Sequence, residues 1–154
     1  MHTGQAILRK TIPPVYFLAA LLFMAVLAYL MPVAHLIYVP LRLCGGVFIL
    51  AGLAITTTAA WAFKHANTPI RPFELATTLV ITGIYRYTRN PMYLGMLIML
   101  VGTWIALGKL SPVFVIPIFF FILLEGFVKP EEEVLEKIFG DKYRDYKSSV
   151  RRWI

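Results

Sequence analysis

A chain of 154 residues is long enough for one domain, and this one is 59% hydrophobic and only 15% charged, too oily for an ordinary soluble fold. Its formal net charge is +7, but the cations flank apolar blocks, which fits membrane topology and not nucleic-acid binding. The single cysteine, Cys44, excludes an internal disulfide framework and any cysteine-rich metal site.

The apolar residues fall into four blocks, residues 14–31, 41–63, 92–107 and 112–128, each at or near the length of about 20 residues that crosses a bilayer. The expected fold class is therefore an all-α integral membrane protein with about four transmembrane helices, folded as a single domain over residues 1–154. Arg9 and Lys10 give the first block a signal-peptide look. The block is longer than a signal core and no small-residue cleavage site follows, so a retained helix is expected. The second block carries Gly45, Gly46, Ala51, Gly52, Ala54, Ala59 and Ala60, small residues that let helices approach closely in lipid. Cys44 within it is expected to pack as a small buried hydrophobe. The third block holds Gly95 and Gly102. A short Gly108-Lys109-Leu110-Ser111 link joins it to the fourth in a tight hairpin, and Pro117 is expected to bend that fourth span.

Lys and Arg placement gives the orientation. With the N-terminus inside, Arg9, Lys10, Lys64, Arg71, Arg86, Arg89 and the basic residues from Lys129 onward are all cytoplasmic, as the positive-inside rule requires. Only Arg42 and Lys109 lie near the opposite face, with His35. Both termini are then cytoplasmic, in a multi-pass protein of a bacterial or archaeal inner membrane.

Two polar elements share that face, residues 64–91 and 129–154. The first is long for a connection in a bundle. It carries Pro69, Pro72 and the β-branched run Thr77-Thr78-Leu79-Val80-Ile81-Thr82, expected to be extended or re-entrant. It ends at Asn90-Pro91, a helix start with Pro in the first turn. The second element is amphipathic. Val134, Leu135 and Ile138 repeat at helical spacing up to a stop at Gly140. A short helix follows with Tyr143, Tyr146, Val150 and Trp153 on one stripe and Lys142, Lys147, Arg151 and Arg152 elsewhere, a pattern that suits the headgroup interface.

The chemistry-bearing residues cluster in these two elements. Arg86 and Arg89 read either as topology signals or as guanidinium forks for a carboxylate or phosphate. Cations at a helix N-terminus oppose its dipole, which favours bringing in an anion. Glu131-Glu132-Glu133 reads either as a solvated helix N-terminus or as carboxylates turned inward against those arginines. Glu125, inside the fourth span, is a functional candidate or an i,i+4 partner of Lys129. His65 has no partner at ligand spacing, so no metal site is expected. No P-loop, dinucleotide fingerprint or nucleophile elbow is present.

The stretch from Leu79 to Gly95, with Gly83-Ile84-Tyr85-Arg86-Tyr87-Thr88-Arg89-Asn90-Pro91-Met92-Tyr93-Leu94-Gly95 at its heart, resembles the signature of the isoprenylcysteine carboxyl methyltransferase and phospholipid methyltransferase superfamily. So does the tail, Pro130-Glu131-Glu132, Leu135, Phe139-Gly140, Tyr143 and Tyr146. The resemblance implies a membrane methyltransferase using S-adenosylmethionine and releasing S-adenosylhomocysteine. It places cofactor contacts on Thr77, Thr78, Leu79, Val80, Tyr85, Asn90, Pro91, Met92, Tyr93 and Glu131. Glu131, Glu132 and Arg89 are the catalytic candidates, with Glu131 or Glu132 able to accept a proton from an amine acceptor.

Three departures from the eukaryotic pattern stand out. Asn90 replaces His, Ile70 falls where a polar cofactor contact is usual, and Phe127 replaces an arginine that contacts the substrate carboxyl. The partners expected are the lipid bilayer and a lipophilic or small membrane-accessible acceptor, whose identity stays open, as does the oligomeric state. The alternative is a non-catalytic membrane protein that keeps the fold, a small-molecule binder or an assembly factor.

Overall fold

The computed structural model describes residues 12–34, 37–66, 68 and 77–154. Arg9, Lys10, His35, Pro69, Ile70, Arg71 and Pro72, on which several expectations rest, lie outside the described residues. Every regular element among the described residues is helical: α1 (Pro13–Leu30), α2 (Val39–His65), a 3-10 turn (Gly83–Arg86), α3 (Pro91–Leu107), a 3-10 turn (Ser111–Phe114), α4 (Val115–Leu123), a π turn (Leu124–Val128), α5 (Lys129–Phe139) and α6 (Asp141–Ser149).

Three helical runs are long and apolar enough to cross a membrane: Pro13–Leu30, Val39–His65 and Ser111–Phe139. In the third, residues 111–128 form the apolar span. From Lys129 the sequence turns charged, with Glu131, Glu132, Glu133, Glu136 and Lys137, and projects beyond it. The expected third span is the shorter α3, 17 residues and so roughly 25 Å long. Leu18, Leu22, Leu30, Leu43, Val47 and Leu50 are 64% to 79% exposed. Lipid is the solvent that accepts such surfaces on α1 and α2.

α2 and α3 pack antiparallel through the small residues. Gly45, Gly52 and Ala59 are the buried residues of α2, seven apart and so on one stripe. They meet Gly95 and Gly102 of α3. A Cβ on Gly45 would stand 2.5 Å from the Gly102 carbonyl oxygen, and one on Gly52 2.5 Å from that of Gly95. Backbone therefore touches backbone, and dispersion is collected along the whole seam. Cys44 is exposed, contrary to expectation. Its neighbour Gly45 takes the buried stripe, and one residue is a rotation of about 100°. Gly52→Leu is expected to abolish folding in detergent. Gly46→Ala, where the added methyl meets nothing within 4 Å, is expected to melt like the wild type by circular dichroism.

The two cations expected near the opposite face, Arg42 and Lys109, each donate to a main-chain carbonyl. Lys109 donates to the Ala28 carbonyl at 2.6 Å, near the C-terminus of α1, and Ser111 adds a bond at 3.3 Å to the Leu27 carbonyl, which also accepts the Met31 N–H. Arg42 donates through Nε to the Ile37 carbonyl at 3.1 Å and lies against Gly108, whose φ of +67° closes α3.

Pro117, expected to bend the span, lies in the first turn of α4, right after the 3-10 turn, where a missing N–H is tolerated. The departure from α geometry falls at the π turn, marked by the Lys129 N–H bonding the Leu124 carbonyl. Pro130 follows at once. A proline clashes with the carbonyl four residues back, here Gly126, which sits inside the widened turn. The helix nevertheless runs on into α5, so the three glutamates do not sit at a free helix N-terminus.

Candidate active site

The end of the bundle opposite Arg42 and Lys109 gathers the polar elements. Thr77 and Thr78 lie exposed at its margin, Leu79 is half-buried and Val80 is buried. The Thr77 N–H donates to the buried Thr68 hydroxyl at 3.2 Å. Residues 77–82 adopt no helix, in keeping with their β-branched composition. Gly83, at φ +62°, then starts a 3-10 turn that sends Tyr85 inward and leaves Arg86 and Tyr87 exposed. Tyr85 packs with Val80 and Ala59, its ring 5.4 Å from that of Phe63 and with Met92 alongside.

Pro91 opens α3 with Asn90 as the preceding cap residue, as the Asn-Pro pair predicts. Tyr93, buried in the first turn, donates its hydroxyl to Glu131 Oε2 at 3.0 Å. Burial pushes the Glu131 carboxyl up to about 7. The Tyr93 hydrogen bond opposes that rise and the Glu132 charge adds to it. Burial also raises Tyr85, and the neighbouring Glu131 charge raises it further. Tyr85, Tyr93 and Glu131 therefore form one patch: a carboxylate among phenols.

Glu132, the next residue, is 6% exposed and serves two arginines. Arg152 reaches it in a fork, Nε to Oε1 at 3.0 Å and Nη2 to Oε2 at 2.7 Å. Arg89 Nη2 lies 3.1 Å from Oε1, with the Arg89 side chain only 7% exposed. The acidic and basic clusters thus meet, as a two-signed site requires. The arginine pair divides, however: Arg89 is committed to Glu132 and Arg86 faces outward. Glu133 is exposed, and Glu125 is exposed and paired with Lys129 at i,i+4.

Sequence reasoning missed the segment after α6. The expected stripe breaks at Val150, where the backbone turns extended. Residues 150–153 form a strap across the start of α3. The Arg89 N–H donates to the Arg151 carbonyl at 3.0 Å. The Thr88 hydroxyl and the Asn90 side-chain amide both donate to the Arg152 carbonyl, at 3.2 and 3.1 Å. Tyr146 donates to the Tyr85 carbonyl at 2.7 Å, and the Trp153 ring rests 5.3 Å from that of Phe120. Trp153 and Arg152 are therefore docked on protein. No local signal separates Arg152 from the exposed Arg151. Phe127 is fully buried, with the Tyr16 ring 5.5 Å from its own. Among the described residues, no group of three or more His, Cys, Asp or Glu side chains could hold a metal ion.

The described residues thus form a helical membrane protein with a carboxylate–phenol patch at one end. Residues 41–142 match the phospholipid methyltransferase family. The chain is 38% identical over 76 residues to the protein-S-isoprenylcysteine O-methyltransferase of Schizosaccharomyces pombe, covering 47% of this chain and 30% of that protein. It is 34% identical over 96 residues to the Saccharomyces cerevisiae enzyme of the same name, covering 60% of this chain and 38% of the yeast one. The fold matches the eukaryotic intramembrane Ras methyltransferase, isoprenylcysteine carboxyl methyltransferase, with a TM-score of 0.65 at 22% identity, over 97% of this chain and 52% of that one. The chain belongs to the phospholipid methyltransferase family, as an all-helical integral membrane member. It spans about a third of the length of the two yeast relatives.

Proposed function

We propose that the protein is an S-adenosylmethionine-dependent methyltransferase acting on a lipophilic or small membrane-accessible acceptor. The site would face the cytoplasm, where the Lys and Arg distribution puts both termini. The observation that carries the reading is Glu131. It is largely withdrawn from water, and among the described residues its hydrogen-bond partner is a neutral phenol rather than a cation. A carboxylate so placed calls for a positive group from outside. The donor set therefore fits S-adenosylmethionine, which when bound supplies an electrophilic methyl on a cationic sulfur, together with an ammonium group.

Glu131, Tyr93 and Tyr85 would attract and orient that charge. Val80, Pro91 and Met92 would wall the site, with Thr77, Thr78 and Leu79 at its open margin. Asn90 has one amide N–H committed to the strap, which leaves its second N–H and its carbonyl oxygen able to contact a ligand. Arg89 and Glu132 would hold the frame. The apolar spans exclude water from one side, and alignment in a dry site is most of what a direct displacement needs. With a pKa near neutrality, Glu131 could take the proton of an amine acceptor; a thiolate or carboxylate acceptor needs no base. Phe127, sunk between helices, offers no cation to an acceptor carboxyl. This disfavours a prenylcysteine carboxylate bound in the eukaryotic manner.

The test is S-adenosylhomocysteine binding in detergent. The ligand is expected to raise the melting temperature of the wild type, and Glu131→Ala or Asn90→Ala to remove most of the shift. A wild type that shows no shift across detergents and millimolar ligand would sink the methyltransferase reading and leave the non-catalytic one.

A further inference from the structure

The hydrogen bonds at the site end close into a circuit. α3 carries Tyr93, whose hydroxyl fixes Glu131. Glu131 is followed on α5 by Glu132, which Arg152 grips with both ends of its fork. Arg152 belongs to the strap, and three donors from Thr88, Arg89 and Asn90, immediately before α3, hold the strap's two carbonyls. Adjacent residues of an α-helix point about 100° apart. Clamping Glu132 on one side therefore sets the direction in which Glu131 leaves the helix. Two contacts in a fixed plane define an orientation, where a point charge defines only a distance.

We infer that Arg152 is a positioning residue of the reaction site: through Glu132 it fixes the rotation of α5 that aims Glu131 at Tyr93 and Tyr85. Its use in catalysis rests on the methyltransferase reading; the geometric half does not. Arg152 suits such a role better than Arg89. Its side chain is 34% exposed against 7% for Arg89, so it can be removed without stranding a buried charge, and Arg89 still neutralises Glu132.

The experiment compares S-adenosylhomocysteine affinity in R152A, R152K, E131Q and R152A/E131Q. R152A should melt close to the wild type without ligand yet bind on the order of tenfold more weakly, the worth of a charge-assisted hydrogen bond. R152K should recover part of the loss, because it restores the charge but not the fork. In the E131Q background, R152A should cost nothing further, since the residue it positions is gone. Wild-type affinity in R152A, or losses that multiply in the double variant, would overturn the inference. If R152A does not fold, R152K alone decides it by the same comparison. A second arm needs no ligand. The infrared carboxyl band of protonated Glu131, assigned by its absence in E131Q, should shift in R152A as the Tyr93 bond loosens. An unmoved band overturns the geometric claim. Should the wild type bind no S-adenosylhomocysteine, the methyltransferase reading falls while this arm still judges Arg152.

Discussion

Glu132→Ala is expected to lower the melting temperature in detergent by about 10 °C, from a loss of roughly 3–5 kcal/mol. The reason is what stays behind. Glu132 is the shared counter-ion of Arg89 and Arg152, and the Arg89 side chain is almost wholly buried. Its Nε and Nη1 already lack a partner among the described residues, so Nη2 to Glu132 is its tie to a charge of opposite sign. Without Glu132 a guanidinium is left buried and unpaired, a far larger penalty than the net worth of an intact ion pair. Glu132→Gln keeps one acceptor oxygen and should fall about halfway. Glu133→Ala, one residue on and exposed, should melt within about a degree of the wild type. A thermal melt of the three variants in one detergent checks the order. A Glu132→Ala protein as stable as Glu133→Ala would show that the cluster does not hold this end together.

What the sequence announces here is periodic or punctuated. Apolar runs gave the helices, Asn90-Pro91 and Gly140 gave a start and a stop, and the small residues of the second block pointed to close helix packing without naming the partner helix. Each is a local signal with a local cause. Tyr93, Glu131 and Glu132 were legible as candidates because they lie in long ordered motifs, although which glutamate faces which partner was not. That depends on the rotation of α5, which the π turn before Pro130 resets by an amount no propensity scale encodes. Pro117 and Pro130 look equally disruptive in sequence, yet Pro117 falls in the first turn of α4 and Pro130 directly after a π turn, where its clash must be absorbed. The strap was the least visible part. Val150 to Trp153 reads as amphipathic, and a tryptophan beside arginines fits an interface anchor as well as a docked tail. Tertiary hydrogen bonds to Thr88, Arg89 and Asn90, more than 60 residues earlier in the chain, made the choice.

Glu131→Gln should move stability and ligand binding in opposite directions, and only above acid pH. The wild-type carboxyl is raised to about 7 by burial, against about 4.3 for an exposed glutamate. Below pH 4 it is protonated both folded and unfolded, and burial of its charge costs nothing. Between those two values the unfolded chain gives up its proton while the folded one retains it, so stability falls as pH rises. Above pH 7 the buried charge is present in the fold and the full penalty applies. Glutamine keeps an acceptor for the Tyr93 hydroxyl and never ionises. The variant should therefore melt with the wild type at about pH 3.5 and about 5 °C above it at pH 8, corresponding to roughly 2 kcal/mol. S-Adenosylhomocysteine, whose ammonium would lose its counter-charge, should bind at least tenfold more weakly to the variant at pH 8. Wild-type affinity itself should decline as pH drops through 7 and the carboxyl protonates. A residue buried for structural reasons weakens the protein when it is replaced; one held charged against its burial for a ligand strengthens it. A variant less stable than wild type at pH 8 would place Glu131 among the structural residues and shift the search for the cofactor's counter-charge elsewhere on this face.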